Sequence, residues 1–244
     1  MGGLRLITTG IFLQVRLNST RLHQKALLEI CGKTVIEHAM DSLSRTKADV
    51  FALLTDAESE AALKPLARRY GFEVFRGSAD DVLLRYADAV RHYGVDRYIR
   101  ATGDNPLVSW ELTDSLIQLH EECGADFSGY LGPPLGTCVE LAESDAILIA
   151  DAEAEDPYER EHVSPFLYFR PDRFRIYRPW APEAVCRPSS KVTLDTPDDL
   201  KHMMRIYDAL YEGGPIAPDK LVEWLRSDES EQEENGYYTA SKTG

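Results

Sequence analysis

Three short stretches hold residue types able to do chemistry on a phosphorylated substrate. The first is Gln14-Val15-Arg16-Leu17-Asn18-Ser19-Thr20-Arg21-Leu22-His23-Gln24-Lys25, where three cations sit among hydroxyl and amide side chains. Guanidinium groups grip phosphate oxygens bidentately and a lysine adds a point charge. Backbone N–H groups strengthen such a site when the loop forms a concave nest. An ordinary exposed basic loop fits the same charge pattern. The second stretch is Arg100-Ala101-Thr102-Gly103-Asp104-Asn105-Pro106, an aspartate behind a glycine just past an apolar strand. Hard carboxylate oxygens suit Mg2+, which keeps waters and arrives with substrate phosphates. Gly-Asp-Asn-Pro is also good turn chemistry. The third runs from Lys191 to Leu200, with Asp195 at a strand end and a helix opening behind it. Thr196 or Asp195 could cap that helix, Pro197 suits its first turn, and Asp198 and Asp199 suit its dipole. Asp195 is therefore either a cap or a second metal-facing carboxylate.

Regular elements must position these stretches. Strand patterns over Ile7–Val15, Asp49–Leu54, Glu73–Phe75 and Asp96–Ala101 alternate with helical patterns over Thr34–Ser44, Glu58–Tyr70, Asp81–Tyr93 and Glu111–Cys123. Gly71, Gly94 and Gly124 follow three of the helices as C-terminal signals. Four βα units with short connections predict an α/β fold, a mostly parallel sheet with helices on both faces. Ligands in such sheets bind at the carboxyl ends of strands, where the first two stretches and the Arg76-Gly77-Ser78 turn fall. The second half is less regular. Gly136–Leu141 reads as a strand and Glu143–Ala152 as a helix, and the Pro157–Tyr168 stretch follows. Phe174–Tyr177 reads as a strand, Pro179–Pro188 as a loop and Lys191–Leu194 as a short strand. Helices over Pro197–Tyr211 and around Leu221–Leu225 follow. No internal repeat and no obligatory linker is evident, so residues 1–228 read as one domain.

The chain has 244 residues, is 43% hydrophobic and carries a net charge of −14. That charge argues against nucleic acid as a partner. No acid precedes Glu29, so the first loop lies in a basic island. Asp228–Glu234 is acidic, and 229–244 reads as a disordered, solvated tail. No apolar run is long enough for a membrane span, and Met1–Leu13 reads as leading into a first strand rather than as a signal peptide. Four scattered cysteines without a CxxC pair predict buried free thiols and a reducing cytoplasm. The first loop lacks Gly-x-x-x-x-Gly-Lys-Ser/Thr, and no Gly-x-Gly-x-x-Gly follows the strand, which argues against P-loop and dinucleotide chemistry.

Three motifs together resemble the cytidylyltransferases that make CMP-sugars, including the 3-deoxy-manno-octulosonate and acylneuraminate enzymes. They are Arg16-x-x-Ser19-x-Arg21-Leu22-x-x-Lys25, Gly77-Ser78 with Asp81-Val82-Leu83-x-Arg85, and Gly103-Asp104-x-Pro106. Within that group the chain is most like the spore coat polysaccharide biosynthesis branch, through Glu161-His162-Val163-x-Pro165 and Val192-Thr193-Leu194-Asp195-x-Pro197-Asp198-Asp199. The resemblance runs from about residue 7 to 212. It implies the nucleotide-diphospho-sugar transferase (Rossmann-like) fold. It implies that Arg16, Ser19, Arg21 and Lys25 hold the CTP phosphates, with Gln14 and Thr102 completing the nucleotide site. Gly77, Ser78 and Asp81 would lie near the cytosine and ribose, with Arg85 close by. Asp104 and Asp195 would hold Mg2+, and Arg21, Lys25 and Asp104 would act in catalysis. His162 and Tyr168 would meet the acceptor. Arg170 is added here as a partner for an acceptor carboxylate.

The implied reaction is Mg-dependent transfer of CMP from CTP to a sugar acid in surface polysaccharide or glycoconjugate biosynthesis, by a homodimer. Two alternatives stand beside it. One is a nucleotidyltransferase acting on a phosphonate or phosphorylated small molecule, or using another nucleotide. The other is a degenerate nucleotide-binding protein. The family loop carries Pro-Gly where this chain has His23-Gln24. Glycine admits positive φ, so the replacement predicts altered closure over the triphosphate.

Overall fold

The computed structural model describes residues 6–18 and 22–228. Ser19, Thr20, Arg21 and the tail 229–244 therefore lie outside the described residues. Strand β1 (Thr9–Gln14) leads into the first loop. A small hairpin, β2 (Glu29–Ile30) and β3 (Lys33–Thr34), precedes α1 (Val35–Leu43). Then come β4 (Val50–Thr55), α2 (Glu60–Arg69), β5 (Glu73–Arg76), α3 (Val82–Tyr93), β6 (Arg97–Thr102) and α4 (Trp110–Cys123). The second half holds β7 (Phe127–Gly129), β8 (Glu140–Glu143), α5 (Ser144–Glu153), α6 (Pro157–His162), α7 (Pro165–Tyr168) and β9 (Ile176–Tyr177). Helix α8 (Pro197–Leu210) and a helix α9 over 218–228 complete it.

The seven-stranded sheet has the order β5-β4-β1-β6-β8-β7-β9. Strands β5, β4, β1 and β6 are mutually parallel, while β8 runs antiparallel to both β6 and β7. The chain steps outward from β1 to β4 and β5, then returns to place β6 on the other side of β1. Order thus reverses between β1 and β6, and the carboxyl ends of such neighbours splay into a crevice. Gln14 and Thr102 end these two strands, in register with each other.

Alternation along the strands fills both faces. Ile11, Leu13, Leu53 and Ile99 pack under α1, α2 and α4. Phe12, Ala52, Leu54 and Tyr98 pack under α3, α5 and α7. Phe12 is fully buried among the rings of Tyr86, Tyr93 and Tyr98, 5.7–6.3 Å away, and burying one such side chain contributes roughly 1.5–3 kcal/mol. A third cluster joins α8 and α9 to Ile30, Val35, Leu107, Val192 and Leu194. This cluster fixes the 191–195 segment against the first half of the molecule.

The structure departs from the sequence reading in the second half. Strand β7 has only three residues, two of them Ser128 and Gly129, too short and too small for a periodic signal. The strand expected at Gly136–Leu141 begins at Glu140, because the N–H of Thr137 turns back to the Pro134 carbonyl. Lys191–Leu194 forms one bridge to Leu135 rather than a strand, since the Leu194 N–H is taken by the Asp104 carbonyl. All four cysteines are free, but Cys31 and Cys123 are exposed rather than buried. No helix among the described residues is long and apolar enough to cross a membrane.

Candidate active site

The first loop is anchored before it turns. The Val15 N–H donates to the Leu54 carbonyl, the Thr55 hydroxyl donates to the Val15 carbonyl, and the Leu17 N–H donates to Ser59 Oγ. Gln14 lines the cleft beyond β1, and its Oε1 is buried with no hydrogen-bond partner. Arg16 reaches across to donate to the Ala79 carbonyl. Gln24, where the resemblance implies glycine, has φ 47° and ψ 38°. The residue takes the left-handed conformation despite its side chain, and the turn delivers Lys25 to the cleft. Ser19 and Arg21 lie outside the described residues.

Lys25 Nζ sits between two carboxylates, 2.7 Å from Asp104 Oδ2 and 2.9 Å from Asp195 Oδ1. Asp104 is brought there by a turn in which Asn105 donates from its backbone and side chain to Thr102. The turn can press against the first loop because residue 103 is glycine. A Cβ there would lie 2.8 Å from both Val15 and Ile36. The Leu194 N–H bonds the Asp104 carbonyl at 3.0 Å and so draws the 191–195 segment alongside. Capping of α8 falls to Thr196 and Asp199, whose side chains form a reciprocal box. That leaves the Asp195 carboxylate to face the cleft. Burial pushes the Asp195 carboxyl up, but hydrogen bonds from Lys25 and Lys191 outweigh it and hold the group well below the usual carboxylate range. Burial likewise opposes the charge of Lys25, and the two aspartates more than restore it.

Arg85 forms the far wall. It is 1% exposed, its Nε has no hydrogen-bond partner, and no described carboxylate pairs with it. Burial lowers its pKa. Gly77 makes room for it, since a Cβ there would lie 2.6 Å from Arg85 Cγ. Ser78 and Asp81 build the same loop. The Asp81 N–H donates to Ser78 Oγ, and the Asp81 carboxylate caps α3 and binds Arg160 Nε at 2.6 Å. Gly77, Ser78 and Asp81 therefore shape the loop and hold Arg85 in place, and none of them lines the cleft. The cleft itself is about 460 Å3 and runs from Arg16 and Arg85 past Thr102 to Asp104, Asp195 and His162.

The expected acceptor residues separate. His162 lines the cleft, with its ring against Tyr158. Val163 behind it has φ 70° and ψ −67°, the centre of a γ-turn closed by Ser164 N–H to the His162 carbonyl at 2.8 Å. A buried β-branched residue in that conformation stores strain of about 1–3 kcal/mol, which packing must hold. Arg170 is turned away, paired at 2.6 Å with the buried Glu159 and stacked on Phe166. Tyr168 packs on Phe127 and lies under the guanidinium of Arg178.

Sequence reasoning passed over three residues here. Glu161 lines the same cleft, and Arg178 lines a second cavity of about 410 Å3. Arg100 lines both, paired at 2.8 Å with Glu140. An arginine among the apolar residues of β6 was a usable signal, because a buried cation needs a reason. Cys138 also borders the second cavity, and burial pushes its thiol up to about 12, so it is no thiolate nucleophile at neutral pH.

Known proteins share this fold. A cytidylyltransferase family profile matches residues 11–238. The chain is 28% identical over 220 residues to the spore coat polysaccharide biosynthesis protein SpsF of Bacillus subtilis, covering 87% of this chain and 92% of that one. It is 34% identical over 191 residues to an uncharacterized protein of Methanocaldococcus jannaschii, covering 78% of this chain and 79% of the other. A solved cytidylyltransferase from Leptospira borgpetersenii superposes with a TM-score of 0.83 at 26% identity, covering 92% of this chain and 96% of that one. A CMP:2-keto-3-deoxy-manno-octonic acid synthetase solved with CTP shares the fold at a TM-score of 0.64, 15% identity, 83% of this chain and 99% of the other. With a profile match across most of its length and a crevice built at the β1–β6 reversal, the chain belongs to the cytidylyltransferase family and is a nucleotidyltransferase.

Proposed function

We propose that the protein transfers CMP from CTP to a sugar acid, releasing pyrophosphate, and that it serves surface polysaccharide or glycoconjugate synthesis. The observation that carries this reading is the Lys25 ammonium held between Asp104 and Asp195 on the floor of a cleft walled by Arg16 and Arg85. The two aspartates suit Mg2+. They offer hard oxygens, and they already attract a cation into the space between them. Mg2+ characteristically takes one or two carboxylates and completes its shell with water and substrate phosphates. When bound, it would neutralise charge on the reacting phosphates.

The chain's own residues do the rest by positioning and charge. Arg16 and Lys25 draw the triphosphate into the cleft, and Lys25 is placed to leave the aspartates for the phosphates when they arrive. Arg21 belongs to the same reading through the family resemblance. Arg85, desolvated and unpaired, offers donors on the side away from the carboxylates, where the nucleoside would lie. Gln14 Oε1, also unpaired, offers an acceptor to the nucleotide. An acceptor hydroxyl oxygen then attacks the α-phosphorus, its proton passes to solvent, the bond from the α-phosphorus to the bridging oxygen breaks, and pyrophosphate departs in line. Fixing the reactants in this way is the main source of rate in such reactions.

The left-handed Gln24 weighs against the degenerate reading, because residue 24 takes the conformation that glycine favours and Lys25 still reaches both carboxylates. Pyrophosphate release from each of the four NTPs, across sugar acids, phosphosugars and phosphonates with Mg2+, tests the proposal. CTP with a sugar acid is expected to be the productive pair. Turnover only with another NTP, or only with a phosphonate, would replace it with that enzyme.

A further inference from the structure

The second cavity meets the first cleft at Arg100, Thr102, Asp104 and Asp195 and shares neither Arg16 nor Arg85 with it, so whatever fills it lies against the carboxylates and apart from the arginines proposed for the nucleotide. Its charges can be set against one another. Arg100 is answered by Glu140 at 2.8 Å. Lys191 is answered by Asp195 at 3.0 Å and Asp199 at 3.3 Å. Arg178 also lines the cavity and has no ion pair or hydrogen bond to any described residue. It is nonetheless held, because its guanidinium lies 5.4 Å from the centroid of the Tyr168 ring. That ring is itself fixed against Phe127 at 5.8 Å. Phe127 and the strand that ends just before Arg178 pair in register in the sheet, so this support is rigid.

Resting on the reading above, we infer that Arg178 determines acceptor specificity by receiving the single negative charge of an acceptor carboxylate, with Tyr168 positioning it from behind. One uncompensated cation matches a monoanion. A dianionic phosphate or phosphonate would ask for a second, and the other two cations of the cavity are already occupied. The planar guanidinium fork also fits a carboxylate edge with two parallel hydrogen bonds, which a lysine cannot offer. Tyr168 therefore acts through Arg178, and Arg170 plays no part in this contact.

Calorimetric titration of the full chain provides the test. CTP with Mg2+ is titrated first. CTP that fails to bind refutes the parent reading and this inference together. In the presence of CTP, a panel of sugar monocarboxylates, their carboxamides, sugar phosphates and alkylphosphonates follows, on wild type and on Arg178→Gln, Arg178→Lys, Tyr168→Phe and Tyr168→Leu. At least one monocarboxylate is expected to bind wild type while its carboxamide does not. Arg178→Gln is expected to weaken that binding on the order of 30-fold with CTP affinity unchanged, and Arg178→Lys to restore only part of it. Tyr168→Phe keeps an aromatic face and is expected to bind nearly as wild type, whereas Tyr168→Leu follows Arg178→Gln. In turnover the loss is expected in acceptor KM rather than kcat. Retained carboxylate binding by Arg178→Gln, preference for the dianions, or binding of no panel member overturns the inference while leaving CTP binding intact.

Discussion

Lys25 and Arg85 are both cations in the cleft, but their surroundings give them opposite costs. Lys25 is compensated by two carboxylates, and Arg85 by none among the described residues. An unpaired buried charge destabilises the empty protein, and replacing it with an apolar side chain of similar length is neutral or stabilising. Arg85→Met is thus expected to raise Tm while weakening CTP binding on the order of 10- to 100-fold. Thermal melting and CTP titration of the same preparation check this, and unchanged CTP affinity would remove Arg85 from the nucleotide site. Asp104→Asn keeps size and shape but halves the anionic charge beside Lys25. It is expected to lower turnover at least on the order of 100-fold with Tm nearly unchanged. Pyrophosphate release at the wild-type rate would contradict the role given to Asp104.

Among the elements, the turn before Lys25 places a non-glycine residue, Gln24, in the left-handed region. A left-handed non-glycine residue costs roughly 1–2 kcal/mol, against which glycine loses about 0.5–1 kcal/mol in the unfolded chain. Gln24→Gly is therefore expected to stabilise the protein by up to about 1 kcal/mol, as a shift in the urea midpoint at constant slope. A clear destabilisation would show that the Gln24 side chain holds the loop. The βα half was legible because each element carries its own period and its own punctuation. Asp81 and Ser109 cap α3 and α4, and Gly94 and Gly124 end them in the left-handed conformation. In the other half the helices α5 and α8 and the strand β9 were legible too, but β7 was missed and β8 misplaced, since these strands have three and four residues and owe their pairing to neighbours elsewhere in the chain. Lys25, Asp104 and Asp195 were singled out through the family resemblance, and the structure brings the three side chains together. Arg178 was not, because nothing local distinguishes it from Arg170, Arg173 and Arg175. Only packing shows that Arg170, Arg173 and Arg175 have carboxylate partners and that Arg178 has none among the described residues.

For the whole molecule, the carboxylate centre ties stability to pH. The folded Asp195 carboxyl lies below its unfolded value of about 3.9, so its contribution is complete above that pH and is lost as pH falls below it. The raised Lys25 contributes fully below about 10.4 and loses that contribution above it. The Tm advantage of wild type over Asp195→Asn is expected to hold from neutral pH down to about 4 and to shrink below. An advantage undiminished at lower pH would refute the linkage. The backbone bond from Leu194 to Asp104 also sets a schedule. Synthesis delivers Lys25 and Asp104 with the first βα units, whereas Asp195 emerges only after the irregular half, and α8 and α9 later still. A nascent chain therefore holds a lysine and one aspartate without the segment that completes the centre. Contacts between distant parts of a chain form late and slowly, so competence to spend nucleotide is among the last properties this protein acquires as it is made.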